Sequence, residues 1–271
     1  MQPALSEEVA SIVFAAGKGS RMTGYEGNKT LLPLIPLGSS PYEGDHPLLL
    51  EVLENLPPGP KGVVVHHRSE DVRRAAEGFG VSCLFQEITN GTGGALLAAR
   101  PFIESVPHHG IVITMGDVPL IRRAAYLEIA GRLDAHDLVI LAFSPEDRAQ
   151  YGMLAMNGDR VAAIVEWKYW SAWPVERQAE LRFCNAGVYA VRREVLIPYL
   201  DRLAAHPHQV RKQRGDGWVA IEEYFLTDLV EWMSGDGLSI GVVTAPEEEV
   251  MGVDTPEALR RAQMLFSKRA G

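Results

Sequence analysis

Short apolar segments that alternate with helical patterns constrain the fold of this chain more than any other feature of its sequence. In the first half these segments read as strands, and several are apolar at successive positions, which is typical of strands buried on both faces of a parallel sheet. The order indicates βαβ units and predicts an α/β fold with a doubly wound, mostly parallel, Rossmann-like sheet. The predicted elements are strands at 11–16, 62–67, 81–86, 110–115 and 137–143, and helices at 69–79, 93–104 and 120–133.

The second half of the chain has a different pattern of predicted elements, which indicates a small mixed-β lobe beside the main sheet. Residues 151–167 read as two strands around an Asn-Gly-Asp turn. In the first half, the turn-rich segment 36–47 is interpreted as an insertion or a mobile flap. The remaining predicted elements are strands at 184–191 and 239–244, helices at 193–205 and 222–233, and a last helix that starts near Thr255.

The charge balance excludes several classes of function. The 271 residues carry 26 basic and 35 acidic side chains, a formal net charge of −9. A general nucleic-acid or anionic-membrane binder needs a basic face, so neither partner is expected, although a local basic cluster can still bind an anionic small molecule. The sequence has no basic-apolar leader, no membrane-length apolar run and no cysteine pairing pattern. The expectation is a cytoplasmic protein with two reduced thiols.

The segment SIVFAAGKGSRM, residues 11–22, joins the first predicted strand to a glycine turn that carries positive charge. Glycines let the backbone approach a ligand closely and expose N–H groups to a phosphate, and Arg21 and Lys29 add cationic side chains. A plain structural turn is the alternative interpretation. The turn lacks the Gly-Lys-Ser/Thr ending of a Walker A loop. Met22 replaces the third glycine of G-x-G-x-x-G, which disfavours a nicotinamide-dependent oxidoreductase.

Three further segments place polar groups beyond predicted strands. In TMGDVPLI, Asp117 follows a buried strand, where open α/β sheets bind ligands, and a carboxylate beside phosphates suits Mg²⁺. The alternative is that Asp117 caps a helix starting near Leu120. In GTGGA, Thr92 is expected to cap a helix whose glycines present N–H donors to an anion. Gln86 ends the preceding strand and reads either as a contact to a base edge or as an ordinary surface side chain.

In this order, the motifs resemble those of the sugar-phosphate nucleotidyltransferases, and most of all the uridylyltransferase domain of the bifunctional N-acetylglucosamine-1-phosphate enzymes. The similarity covers nearly the whole chain. It runs through FAAGKGSRM, Lys29, GTGGA, MGDVPLI, YGMLAM, IVEWK, CNAGVYAV, EEYFLTDLV and GVDTPEAL. It implies one nucleotidyltransferase domain over 1–271, with a nucleotide-binding part at about 8–145 and a sugar-phosphate-binding part at about 146–271. Asn28 stands where those enzymes usually have Pro. No hexapeptide repeats of an acetyltransferase β-helix are found, so acetyl transfer is not expected.

The resemblance also implies a role for each matching residue. Arg21, Lys29 and Asp117 correspond to catalytic positions, with the two cations directed at phosphates, and Asp117 and Asp254 correspond to Mg²⁺ ligands. The residues that match nucleotide-binding positions are Ala15, Ala16, Gly17, Gly19, Gln86, Gly91 and Thr92, and those that match sugar-phosphate positions are Gly152, Glu166 and Asn185.

The reaction implied by the resemblance is Mg²⁺-dependent transfer of a nucleotidyl group from an NTP, with UTP favoured, to a sugar-1-phosphate such as N-acetylglucosamine-1-phosphate. One alternative uses CTP or GTP and another phosphorylated acceptor. Another is a non-catalytic nucleotide-sugar-binding regulator, which the joint presence of both cations and both carboxylates disfavours. The sequence leaves the oligomeric state open. It also leaves open whether Trp167, Trp170 and Trp173, which follow Glu166, stack on a sugar or pack structurally.

Overall fold

The computed structural model describes residues 9–19, 21–214 and 217–270. Its strands are β1 (Val9–Phe14), β2 (Pro33–Pro36), β3 (Gly44–Pro47), β4 (Lys61–Val65), β5 (Ser82–Phe85), β6 (Gly110–Met115), β7 (Leu138–Phe143), β8 (Met153–Asn157), β9 (Arg160–Val165), β10 (Cys184–Arg192), β11 (His208–Arg214), β12 (Gly217–Glu223) and β13 (Ile240–Thr244). Within the described residues, the main sheet has the order β13-β7-β10-β6-β1-β4-β5, with the β8–β9 hairpin attached to β10. Along this path β10 is antiparallel to both neighbours and the other pairings are parallel. The predicted mostly parallel sheet is confirmed.

Helices cover both faces of this sheet, so the doubly wound arrangement is also confirmed. The helices are α1 (Leu48–Asn55), α2 (Ser69–Ala75), α3 (Gly91–Ala98), α4 (Arg100–Ser105), α5 (Arg123–Gly131), α6 (Trp167–Trp170), α7 (Val175–Glu180), α8 (Arg193–Ala205), α9 (Asp228–Gly235), α10 (Glu247–Val250) and α11 (Pro256–Ala270). Along β1, Val9 and Val13 join a core with α1, α2 and α5, whereas Ile12 and Phe14 join a second core with α3, α4, α8 and α9. The alternation follows from the two-residue period of a strand.

The register of the central strands places their following loops side by side. β1 pairs in parallel with β6 so that Phe14 lies opposite Met115, and it pairs on its other side with β4. Since neighbouring parallel strands end at the same edge of a sheet, the glycine loop after β1 and the segment with Asp117 after β6 meet there.

The helices predicted at 93–104 and 222–233 depart most from the structure. The helix expected at 93–104 is interrupted at Ala99, because Pro101 lacks an N–H and its ring opposes a continuous helix. The helix expected at 222–233 begins only at Asp228, since residues 217–223 form β12, which pairs with β11 along its whole length. This pairing joins separate chain segments, and local sequence pattern did not reveal it.

Segment 36–47 belongs to a hairpin that packs on the C-terminal helix. β2 and β3 pair in antiparallel fashion, and buried Gln263 of α11 donates to the carbonyl oxygens of Pro33 and Pro41, both at 2.8 Å. Thr255 accepts from Ala258 N at 3.1 Å, which confirms the predicted start of α11. Among the residues described, no helix combines the length and apolar character needed to cross a membrane.

Candidate active site

A cleft of about 510 Å³ lies at the carboxyl edge of the sheet, over the ends of β1 and β6. Glu223 of β12 and Thr30 also line it, so the second half of the chain contributes to the same cleft. The predicted site residues that line it are Ala16, Gly17, Arg21, Lys29, Gln86, Gly91, Thr92 and Asp117. Sequence positions from four separate segments thus converge on one cavity, at the edge where open α/β sheets bind ligands.

The glycine loop is held against the sheet at its start and against Lys29 further on. Ala15 N donates to Val64 O at 2.8 Å, and both Ala15 and Ala16 are buried. Gly19 has φ +63°, the left-handed region that favours glycine. A Cβ at Gly19 would lie 2.9 Å from the Lys29 Cβ, closer than side chains pack. The loop therefore requires glycine here for two separate reasons, its backbone conformation and the proximity of Lys29.

Gly19→Ala is expected to weaken Mg²⁺-NTP binding about tenfold or more, because the new methyl group displaces Lys29 from its position. The left-handed conformation adds a loss of about 1–2 kcal/mol in the free energy of unfolding. Gly38→Ala is the matched control, since Gly38 has φ +76° and a Cβ added there would meet no atom within 4 Å. Equal nucleotide affinities in the two variants, measured by calorimetry and compared with thermal unfolding, would contradict the Lys29 contact.

Two ion pairs link the predicted phosphate-binding cations to the predicted metal ligands. Lys29 Nζ contacts Asp117 Oδ2, and these side chains are only 16% and 18% exposed. Arg21 Nη1 lies 2.7 Å from Asp254 Oδ2. The alternative role for Asp117 as a helix cap is wrong, because α5 begins at Arg123, well beyond it. Arg21, Lys29 and Asp117 therefore line one cleft, and Asp254 is joined to it through its ion pair with Arg21.

Asp117 and Asp254 lie on chain segments that are hydrogen-bonded to each other, since Val253 N donates to Asp117 O at 2.8 Å. Carboxylate oxygens are the ligands that Mg²⁺ prefers, and it commonly binds through one or two of them together with substrate phosphates. This donor set fits the metal that the sequence predicted.

The start of α3 differs from the sequence prediction. Thr92 does not cap the helix, because it lies within the first turn and Asn90 takes the cap position without a side-chain cap bond. Thr92 Oγ1 instead accepts from Leu226 N at 3.2 Å. Gly93 N donates to Tyr224 O at 2.9 Å, and a Cβ at Gly91 would lie 2.4 Å from the same oxygen. The lack of side chains at Gly91 and Gly93 thus allows the backbone at Tyr224 to pass close to the start of α3. The Gly93 N–H, which was expected to face an anion, is used in this contact.

Gln86 is only 4% exposed, so its interpretation as an ordinary surface side chain is wrong. Its Nε2 donates to Asn90 Oδ1 at 3.1 Å, which ties the end of β5 to the start of α3 within the cleft wall. The amide nitrogen is thereby directed into the protein.

The predicted sugar-phosphate residues form a second cluster. Asn185 N donates to Gly152 O at 2.9 Å, and a Cβ at Gly152 would lie 3.6 Å from Glu166 Oε2. Thr227, which sequence reasoning missed, donates from Oγ1 to Glu166 Oε1 at 3.1 Å. Thr227 lies in the segment EEYFLTDLV, within the helix predicted at 222–233, and nothing in the local sequence indicated that its side chain contacts Glu166.

Asn185 is largely committed to the protein. Its Nδ2 donates to the Tyr189 hydroxyl at 2.7 Å, and its Oδ1 accepts from Gly187 N at 2.9 Å. Burial raises the pKa of the Tyr189 phenol, and the Glu166 carboxylate adds to the rise while the Asn185 hydrogen bond opposes it. The phenol is therefore neutral at physiological pH, and one amide hydrogen of Asn185 is left for a ligand.

The tryptophans after Glu166 have different environments. Trp170 is buried and donates from Nε1 to Tyr151 O at 2.9 Å, which is a structural role. Trp173 carries the Arg177 guanidinium 3.5 Å over its ring, whereas Trp167 is 40% exposed. Lys168 lies between the rings of Tyr169 and Phe225, at 4.8 and 5.2 Å from their centroids.

Comparison with known families identifies the family to which the chain belongs. The profile of the MobA-like NTP transferase domain matches residues 11–212, most of the chain and nearly all of the predicted site. The protein belongs to this family and is a nucleotidyltransferase.

The chain is also similar in sequence to individual curated proteins. The bifunctional protein GlmU of Ruegeria pomeroyi is 32% identical over 265 residues, and that of Ruegeria sp. (strain TM1040) is 33% identical over 267 residues. Each match covers 96% of this chain and 53% of the relative, so the chain spans about half the length of these curated relatives. The resemblance inferred from the motifs is confirmed.

Solved structures of low sequence identity have the same fold. The uridine diphosphate N-acetylglucosamine pyrophosphorylase from Trypanosoma brucei has a TM-score of 0.70 at 14% identity, covering 96% of this chain and 66% of that one. The CMP:2-keto-3-deoxy-manno-octonic acid synthetase complexed with CTP has a TM-score of 0.63 at 16% identity, covering 97% and 99%.

Proposed function

We propose that the protein transfers a nucleotidyl group from an NTP, with UTP favoured, to a sugar-1-phosphate similar to N-acetylglucosamine-1-phosphate, releasing pyrophosphate. The observation that carries the proposal is the pair of ion pairs, Lys29–Asp117 and Arg21–Asp254, beside the glycine loop. Arg21, Lys29 and Asp117 line the cleft, and Asp254 is paired with Arg21. Two cations and two carboxylates so arranged are the groups needed to bring two phosphate-bearing substrates and a divalent cation together. On this proposal, residues up to about 145 supply most of the nucleotide site.

The acceptor assignment is supported by the cluster around Glu166. A carboxylate, a threonine hydroxyl and an asparagine amide beside the cation-lined cleft suit the hydroxyl and amide groups of a sugar. The similarity in fold to uridine diphosphate N-acetylglucosamine pyrophosphorylase agrees with this substrate class.

The proposed step is an in-line displacement at phosphorus. A phosphate oxygen of the acceptor forms a bond to the α-phosphorus of the nucleotide, the bond from the α-phosphorus to the bridging oxygen breaks, and pyrophosphate leaves with that electron pair. The acceptor phosphate is already ionised at neutral pH, so no general base is required. Lys29 and Arg21 offset the charge of two anions that would otherwise repel each other.

Asp117 and Asp254 would hold Mg²⁺, which supplies Lewis-acid stabilisation of phosphate oxygens when it is bound. The two side chains reach the cleft edge from opposite halves of the chain. On this proposal, the basic side chains offset the negative charge of the polyphosphate, and the carboxylates offset the positive charge of the metal ion.

The test is pyrophosphate release in the presence of Mg²⁺, with UTP, CTP, GTP and ATP each combined with a panel of sugar-1-phosphates. Release with UTP and N-acetylglucosamine-1-phosphate is the expected result. Release only with CTP or GTP would overturn the nucleotide assignment, and release only with another acceptor would overturn the sugar assignment. Absence of release with every pair would overturn the proposed function.

A further inference from the structure

Asn28 is a fully hydrogen-bonded side chain close to the cleft, although it does not line the cleft itself. It is 1% exposed. Its Nδ2 donates to the carbonyl oxygens of Ala15 and His67, both at 2.9 Å. Its Oδ1 accepts from Thr30 N at 3.0 Å and from Thr30 Oγ1 at 2.8 Å. Both amide hydrogens and both oxygen lone pairs are therefore satisfied within the protein.

These four bonds join three segments that meet at the carboxyl edge of the sheet. Ala15 begins the glycine loop directly after β1, and His67 follows the end of β4. Thr30 lies in the short 3-10 turn of residues 29–31, for which Asn28 is the cap. Lys29 is the first residue of that turn and contacts Asp117. The loop and the cation are thus fixed to each other through one side chain.

The backbone alone does not explain an asparagine at this position. Asn28 has φ −78° and ψ 124°, a conformation that proline also adopts. Many side chains could follow the same path, but few carry two donors and an acceptor on one short planar group. The requirement therefore lies in the side-chain bonds.

We propose that Asn28 is a positioning residue, which acts through Lys29 by fixing the ammonium group between the glycine loop and Asp117. This inference rests on the proposed function, since it assigns Lys29 to the phosphates. If Asn28 only stabilised the fold, its loss would lower stability without a specific effect on nucleotide use. A positioning residue instead affects nucleotide use only while Lys29 is present.

Two substitutions separate these roles. Asn28→Ala removes all four bonds, whereas Asn28→Asp keeps the size and the acceptor but replaces the donor by a carboxylate oxygen that faces two carbonyls. Both variants are expected to lower kcat/KM for the nucleotide about 10- to 100-fold, since displacement of a catalytic group by about 1 Å has an effect of this order. If Asn28→Ala folds poorly, Asn28→Asp still provides the comparison.

Gln263→Ala is the matched control. Gln263 is also a buried amide, 7% exposed, whose Nε2 donates to two carbonyl oxygens, but it lies between α11 and the β2–β3 hairpin. It is expected to lower the melting temperature by an amount comparable with Asn28→Ala while kcat/KM stays within about twofold of the wild type. A comparable loss of kcat/KM in both variants would overturn the proposal.

The deciding experiment is a double-mutant cycle of Asn28→Asp with Lys29→Met, read out both by kcat/KM and by the equilibrium affinity for Mg²⁺-NTP. If Asn28 acts through Lys29, Asn28→Asp has little further effect in the Lys29→Met background. Additive effects would overturn the proposal. If the wild type releases no pyrophosphate with any substrate, the proposed function fails, and the affinity cycle still decides the role of Asn28.

Discussion

Asp117→Asn is expected to lower the turnover number about 10²- to 10³-fold while the fold stays intact. The substitution keeps the size of the side chain but removes the charge that pairs with Lys29 and that would bind Mg²⁺. Groups that stabilise developing charge at a reacting phosphate contribute several kcal/mol, and each 1.36 kcal/mol is a factor of ten in rate. Turnover as a function of Mg²⁺ concentration is the measurement, and the variant should require more Mg²⁺ for half-maximal activity.

Asp137→Asn is the control for this prediction. Asp137 precedes β7 at the opposite edge of the sheet, is 20% exposed, and pairs with Arg192 at 3.7 Å while it accepts from Ser239 N at 2.8 Å. It resembles Asp117 in burial and in having a cationic partner, but it is remote from the cleft. Its turnover should equal that of the wild type. Full activity in Asp117→Asn would exclude the metal assignment, and equal losses in both variants would indicate general destabilisation.

The central sheet could be predicted because its determinants are local. Each parallel strand is a short apolar run, and a loop that directly follows such a strand must reach the carboxyl edge of the sheet. This rule and the order of the motifs were sufficient to predict that Arg21, Lys29 and Asp117 lie close together. The structure adds that they occur as ion pairs, a detail that depends on side-chain geometry rather than on strand order.

The features that were missed depend on contacts between distant segments. Thr92 was predicted as a cap, but it lies inside the first turn of α3, and its hydroxyl accepts from Leu226, 134 residues away. The predicted helix at 222–233 took in the last two residues of β12, and the rest of that strand was not predicted, because its identity follows from pairing with β11. Asn28 looked like a simple departure from proline, since one of its partners, His67, is 39 residues away and follows the end of another strand.

Lys29→Met is expected to lower kcat/KM for the nucleotide about 10²- to 10³-fold, as for the loss of other groups that stabilise charge at a transferring phosphate. The substitution is expected to change nucleotide affinity and Mg²⁺ affinity in opposite directions. Loss of the ammonium group removes a cation from the polyphosphate, so nucleotide affinity falls. It also leaves the Asp117 carboxylate without its partner, so affinity for Mg²⁺ in the absence of nucleotide should rise.

Calorimetric titration with Mg²⁺ alone and with Mg²⁺-NTP separates these two effects. Lys61→Met is the control, because Lys61 lies at the amino end of β4, where its Nζ donates to Gly59 O at 3.2 Å, away from the cleft. The control should bind both ligands as the wild type does. If Lys29→Met bound nucleotide normally, Lys29 would not serve the phosphates. If it bound Mg²⁺ more weakly, the carboxylate paired with Lys29 would not be a metal ligand, because removing a competing cation can only favour a divalent cation at that oxygen.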